Sequence, residues 1–298
     1  MTSNIILDVI IGLIFVYLLL SLICSAIQET IASAAGLRAE TLQDGIKNLL
    51  DDPNILDAQE KVRDLKTEVY KHPLVKNLAK EGNKPSYIPA RNFTIALLDV
   101  LKDPNSSNGP LTEARNTISK LPAGQLKNAL AGIVDGAGNS VESMTGNIET
   151  WFDNSMGRVS GWYKRSAQKL MLLIAFTLAV SFNVDSIELA KTLWKDPALR
   201  AQVVTAAQQQ VDAGKSTEEP QTIKDLRSEL NKVPVGWDKE NWGSLFSGNS
   251  NFILKLLGWI LTAIAVSLGA PFWFDGLGKV LNIRRAGARP ASGGTTTT

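Results

Sequence analysis

Histidine and cysteine, the side chains most often recruited for acid–base and nucleophilic work, occur once each in this 298-residue sequence. His72 stands before Pro73 at a helix boundary, where an imidazole caps a helix or faces solvent. Cys24 falls inside an uncharged apolar run, where a small, weakly polar packing residue is expected. One of each excludes an internal disulfide framework and a Cys/His zinc site. The sequence holds no GxxxxGKS/T phosphate loop, no HExxH and no GxSxG. Its Gly-rich string Asp135-Gly136-Ala137-Gly138 follows a predicted helix, where a dinucleotide fingerprint would follow a strand, so it reads as a hinge. These residues predict no catalytic group, no metal site and no cofactor.

Polar residues inside the apolar runs carry more information, because lipid offers them no hydrogen bonds. Ser21, Ser25 and Gln28 are spaced by four and three and share one helix face, with Glu29 beside it. Such a face must point at protein or line a polar path. Asp8 lies near the outer end of the same run, where exposure to a membrane interface costs little.

The elements that position these residues begin with residues 9–27, an uncharged stretch of 19 residues. As a helix it would be about 28 Å long, close to a hydrocarbon core of about 30 Å. The stretch before it has no Lys or Arg and carries Asp8, so a retained anchor is expected rather than a cleaved leader, despite the small-residue run Ala32-Ser33-Ala34-Ala35. Residues 170–184 form a shorter span next to Lys169, whose stem can snorkel. Residues 256–274 form a third, interrupted by Pro271. Small residues at spacings of four, Gly258 with Thr262, Ala265 with Gly269, and Ala175 with Ala179, allow close helix approach within one subunit or between subunits, and three thin spans suggest a homo-oligomer formed through the first and third helices.

After Pro271, Phe272, Trp273 and Phe274 are followed by Lys279, Arg284 and Arg285, the pattern of an interfacial anchor on anionic headgroups. Counted by flanking basic residues, Arg38, Arg158, Lys164, Arg165, Lys169, Lys279, Arg284, Arg285 and Arg289 fall on one side and Lys191, Lys195, Arg200 and Lys255 on the other. That bias predicts the amino terminus outside and the carboxyl terminus in the cytoplasm.

The fold class expected is therefore all-α: an integral membrane protein with three transmembrane helices, a helical cytoplasmic domain and a small helical extracytoplasmic cap. The first span and its extension take 1–36, stopping at Gly36. A cytoplasmic domain takes 37–138, with helices near 42–50, 56–71, 74–81, 89–103, 111–121 and 123–134. A stripe of Met144, Ile148, Trp151, Phe152, Met156, Val159, Trp162 and Tyr163 predicts one long helix in 139–187 that enters the second span. The cap takes 188–251, with a helix over 198–213 opened by Asp196-Pro197 and a second near 222–231. Trp237 and Trp242 are expected as interfacial anchors. The third span takes 252–274, and 275–298 forms the amphipathic segment and a disordered tail.

Four strings occur together: His72-Pro73-Leu74; Pro85-Ser86-Tyr87-Ile88-Pro89-Ala90-Arg91; Arg158-Val159-Ser160-Gly161-Trp162-Tyr163-Lys164-Arg165; and Ser267-Leu268-Gly269-Ala270-Pro271-Phe272-Trp273-Phe274-Asp275. Together they resemble a widespread family of uncharacterised bacterial inner-membrane proteins, over most of the chain up to Arg285. The resemblance implies a bacterial inner-membrane location and brings no activity, cofactor or catalytic residue.

A net charge of +2 offers no field for nucleic acid. The function expected is a non-enzymatic, homo-oligomeric membrane scaffold whose cytoplasmic helical domain meets a protein partner, the lipid bilayer being the other partner. The alternative is an oligomeric channel or small-solute transporter lined by Ser21, Ser25, Gln28 and Glu29. An enzyme acting on lipid or nucleotide is the third reading, with no residues assigned to it.

Overall fold

The structure, a computed structural model, describes residues 5–50, 54–56, 62–80, 83–102, 109–212, 235–237 and 249–286. The described chain is helical apart from one antiparallel ribbon, β1 (Asn54–Leu56) with β2 (Val62–Asp64), in which Ile55 faces Arg63 in register. It divides into two compact units, Met1–Ile31 with Ala167–Thr298, and Ala32–Ser166.

The first unit is built on α1 (Ile5–Ala34), 30 residues without proline that end before Gly36, where φ is +62°. With a mean hydropathy of 2.8 over its most apolar stretch, α1 is long and apolar enough to cross a membrane by itself. The helix α8 (Val141–Ser181) enters this unit at Ala167. It stops where Asn183 takes a left-handed φ of 49°, and Asp185 then caps α9 (Ser186–Lys195) by accepting the Ile187 and Glu188 N–H groups at 2.8 and 3.2 Å. Asp196 does the same for α10 (Pro197–Asp212), with Pro197 in its first turn. Two further helices follow, α11 (Asn249–Ser267) and α12 (Ala270–Ala286). α8 with α9, bent by 50°, and α11 with α12, bent by 93°, are apolar enough to cross only as pairs, so the candidate spans number one, or up to three if each pair counts.

Three expectations change here. The apolar run 256–274 is not one helix: the chain turns at Gly269, φ +90°, a conformation that a Cβ would strain, so the break precedes Pro271 and the aromatic residues open α12. The described part of the expected cap does not stand apart, because Leu189, Leu193, Val203, Val204 and Ala207 share one buried apolar cluster with Ile11, Phe15 and Leu18 of α1. Leu193 and Val203 fill the space beside Gly12, which is the surface they remove from solvent. The second cap helix near 222–231, Trp242 and the carboxyl-terminal tail lie outside the described residues.

The third change concerns α12, which meets α1 at two levels. Trp273 packs at a tilt of 50° against Tyr17 with ring centres 4.9 Å apart, and Arg284 Nε lies 2.9 Å from Asp8 Oδ1. Arg285 reaches Asp212 of α10 at 2.7 Å. The end of α12 therefore sits beside the start of α1. Asp8 and Arg284, which the flanking-charge count set on opposite sides of the membrane, thus meet in one ion pair.

The second unit has a core of its own. α2 (Leu37–Leu50) contributes Leu42, Ile46 and Leu50, α3 (Leu65–Lys71) Leu65 and Val69, and α4 (Pro73–Lys76) Val75. α5 (Ala90–Leu101) adds Phe93 and Leu97, α6 (Pro110–Lys120) Ile118, and α7 (Gln125–Gly136) Leu126, Leu130 and Val134. From α8, Met144, Ile148 and Phe152 close it, with Phe152 stacked on Phe93 at 4.2 Å between ring centres. The helix expected over 56–71 begins only at Leu65: Asp64 caps it by accepting the Lys66 N–H, and the residues before it pair as the ribbon. The helix expected over 74–81 is the short α4, which starts at Pro73 and ends at Lys76.

Candidate functional site

The polar residues of the first unit are spent on joining its helices. Tyr17 donates to Ser186 Oγ at 2.8 Å, Ser186 and Thr262 hydroxyls meet at 2.7 Å, and Thr262 Oγ1 reaches the Val184 carbonyl at 2.7 Å and the Gly258 carbonyl at 2.9 Å. Proton accounting gives each hydroxyl one donation, so the order Tyr17 to Ser186 to Thr262 to a carbonyl satisfies all three. This chain ties α1, α9 and α11 together. Tyr17 and Ser186 carried no spacing signal, since the partners are 169 positions apart.

Ser21, expected on a polar face, is fully buried and donates to the Val266 carbonyl of α11 at 3.0 Å. It faces a neighbouring helix of its own chain. Ser25 and Gln28 are half-buried and Glu29 is exposed. Gly258 lies against the Asp185 carboxylate, in space where a Cβ would collide with it. Gly258 and Thr262 thus serve close approach within one chain. Ala175 and Ala179 are buried, Ala265 accepts the Trp273 indole N–H at 2.7 Å, and Gly269 makes the turn. Gln168 donates to the Ser267 carbonyl at 2.9 Å and Cys24 to the Met171 carbonyl at 3.5 Å.

Of the expected anchor residues, Phe272 and Lys279 are exposed and Trp273 and Phe274 half-buried, whereas Arg284 is paired with Asp8 and Arg285 with Asp212. Two of the three cations are therefore committed within the chain. Asp8 is 5% exposed, which corrects the interfacial exposure expected for it. Trp237 donates its indole N–H to the Val180 carbonyl at 3.0 Å and packs edge-on to Trp259, with the Lys255 ammonium 5.0 Å from its ring centre.

In the second unit His72 performs the expected capping: Nδ1 accepts the Leu74 N–H at 3.3 Å, which leaves the proton on Nε2, 3.3 Å from Asp99 Oδ2. The string 135–138 closes α7, and Arg115 donates to the Gly138 carbonyl at 2.7 Å. Among the described residues no three of His, Cys, Asp and Glu converge as metal ligands would. Tyr70 places its hydroxyl inside the unit with no hydrogen-bond partner among the described residues; burial, with the Asp44 carboxylate second, holds its pKa above the ordinary tyrosine value.

Two cavities open on this unit. One, of about 510 Å³, lies over α5 and α6 and is mostly apolar, with Ile95, Leu98, Leu101 and Met144 in its walls. The other, of about 690 Å³, lies between α7 and α8 and is edged by Asn128, Asn147, Asn154 and Arg158, with Trp151 among them. Comparison with protein-family models, with curated proteins and with solved structures finds no match to the chain.

Proposed function

We propose that this chain is a non-enzymatic integral membrane protein, in a bacterial inner membrane, that acts as a homo-oligomeric scaffold and presents its helical unit 32–166 to a protein partner. The observation that carries the reading is the contrast between the two units. In the first, Phe252, Ile253, Leu254, Leu257, Leu261 and Ile264 stand on α11 with roughly half of each side chain exposed, beside an apolar α1. A continuous apolar face of that kind is stable against lipid and unstable in water. The second closes a core of its own under a mixed polar surface. Gly258 and Thr262 are occupied within the chain, so copies of the protein would meet through the outer face of α11.

The test is affinity capture of the full chain from native-lipid nanodiscs after cross-linking. The expected result is a particle of fixed copy number with a protein partner cross-linked to residues of 32–166. A monomer with no cross-linked partner overturns the proposal.

A further inference from the structure

We propose that the groove between α7 and α8 binds an extended peptide segment with a carboxylate at its Arg158 end. The inference rests on the scaffold reading and names the chemistry of its partner. Asn147, Trp151, Asn154 and Arg158 are spaced by four, three and four and share one face of α8, with Asn128 of α7 opposite them.

The spacing fits a peptide backbone. At about 1.5 Å per residue of helix, Asn147 and Asn154 stand about 10 Å apart along the axis. One turn of an extended polyproline-II segment, three residues at about 3.1 Å each, covers about the same length and brings the same backbone edge round again. A carboxamide offers one acceptor and two donors, the complement of the C=O and N–H that an extended chain presents. Among the described residues the carboxamides of Asn128, Asn147 and Asn154 make no hydrogen bond, so all are free to take one. The half-buried Trp151 indole between them gives an apolar seat for one peptide side chain.

Arg158 closes the row about 16 Å from Asn147 along the helix, the reach of about five extended residues. Its Nη2 donates to Ser155 Oγ at 3.1 Å, and Ser155 is 4% exposed, so a buried hydroxyl steadies the exposed Arg158 guanidinium at the edge of the groove. A guanidinium held in this way matches a carboxylate with two parallel hydrogen bonds. One cation among neutral amides favours a neutral chain with a single carboxylate over a polyanion such as RNA, which needs several cations in a row.

The experiment uses the full chain in nanodiscs and a random hexapeptide library with free carboxyl termini, read against the same library amidated. The expected result is retention of free-acid peptides over empty nanodiscs, weakened about tenfold by amidation. Gly132, in the same groove, has open space where a Cβ would stand, so Gly132→Tyr fills the groove without disturbing the core. That variant, and Asn147→Ala with Asn154→Ala, should each lower retention about tenfold or more with unchanged melting. Arg158→Gln should abolish the difference between acid and amide. No retention over empty nanodiscs, or equal retention by Gly132→Tyr, overturns the groove proposal. If Gly132→Tyr still captures the cross-linked partner, the groove fails and the scaffold reading stands; if the unaltered chain captures none, the scaffold reading itself fails.

Discussion

Asp8 and Arg284 show how one pair of side chains joins two helices that are distant in sequence. An aspartate near the start of an apolar helix is cheap at an interface, and that is all its own neighbourhood in sequence can say. Its partner is 276 positions away, and no helical period links the two. Arg284→Gln leaves Asp8 buried beside a neutral group, at an expected cost of about 3 kcal/mol. Adding Asp8→Asn should recover most of it, read as unfolding midpoints in detergent. Equal stability of Arg284→Gln and the unaltered protein would contradict the pairing. Tyr70 gives a second expectation with the opposite sign. Its buried hydroxyl meets no partner among the described residues, so Tyr70→Phe should stabilise the protein by up to about 1 kcal/mol. Because the folded state holds the tyrosine pKa up, the unfolded chain loses its proton first as pH rises. The Tyr70 contribution is therefore constant below about pH 10 and falls above it. A denaturation series across that window should show a steeper alkaline decline in the unaltered protein than in Tyr70→Phe.

At the scale of elements, much of the chain was legible. The three-and-four spacing of Met144, Ile148, Phe152 and Val159 announced a long helix, and α8 runs 41 residues. Asp196-Pro197 announced the start of α10. The small residues at Gly258 and Thr262 announced close approach, but spacing alone does not say whether the neighbour is another copy or the same chain; here it is Asp185 and Val184. The direction of α12 was not legible, since an amphipathic pattern fixes which face is apolar and leaves the course of the helix to the turn before it. Two substitutions test these turns and contacts. Gly258→Val, which drives a side chain into the Asp185 carboxylate, should cost about 2 kcal/mol. Gly269→Ala, at φ +90°, should cost about 1–2 kcal/mol. Ile264→Val on the exposed face of α11 should change the midpoint by less than about 0.5 kcal/mol. A destabilisation by Ile264→Val matching that of Gly258→Val would contradict the assignment of inner and outer faces.

At the scale of the molecule, the proposal puts one unit in lipid and the other in water, on the one clear apolar span and up to two more. Runs of uncharged residues made the apolar segments legible, and the absence of such runs between 35 and 166 made the polar unit legible. The integration of α9 and α10 with α1 was not, because Leu189, Leu193, Val203 and Val204 have ordinary helical spacing and nothing local names their partner. The groove residues Asn147, Asn154 and Arg158 were hidden beside the apolar stripe of the same helix, whose periodicity drew attention to the core face.

The most direct test uses the lone cysteine, which is fully buried and should be silent to aqueous maleimide. Single cysteines are placed at Ser143, exposed on the polar unit, and at Ile264, exposed on the outer face of α11, and the protein is reconstituted in liposomes. Once the vesicles are opened so that both faces meet the reagent, Ser143→Cys should label fully while Ile264→Cys and the unaltered protein stay unlabelled. Labelling of Ile264→Cys as fast as Ser143→Cys would place α11 in water and contradict the account.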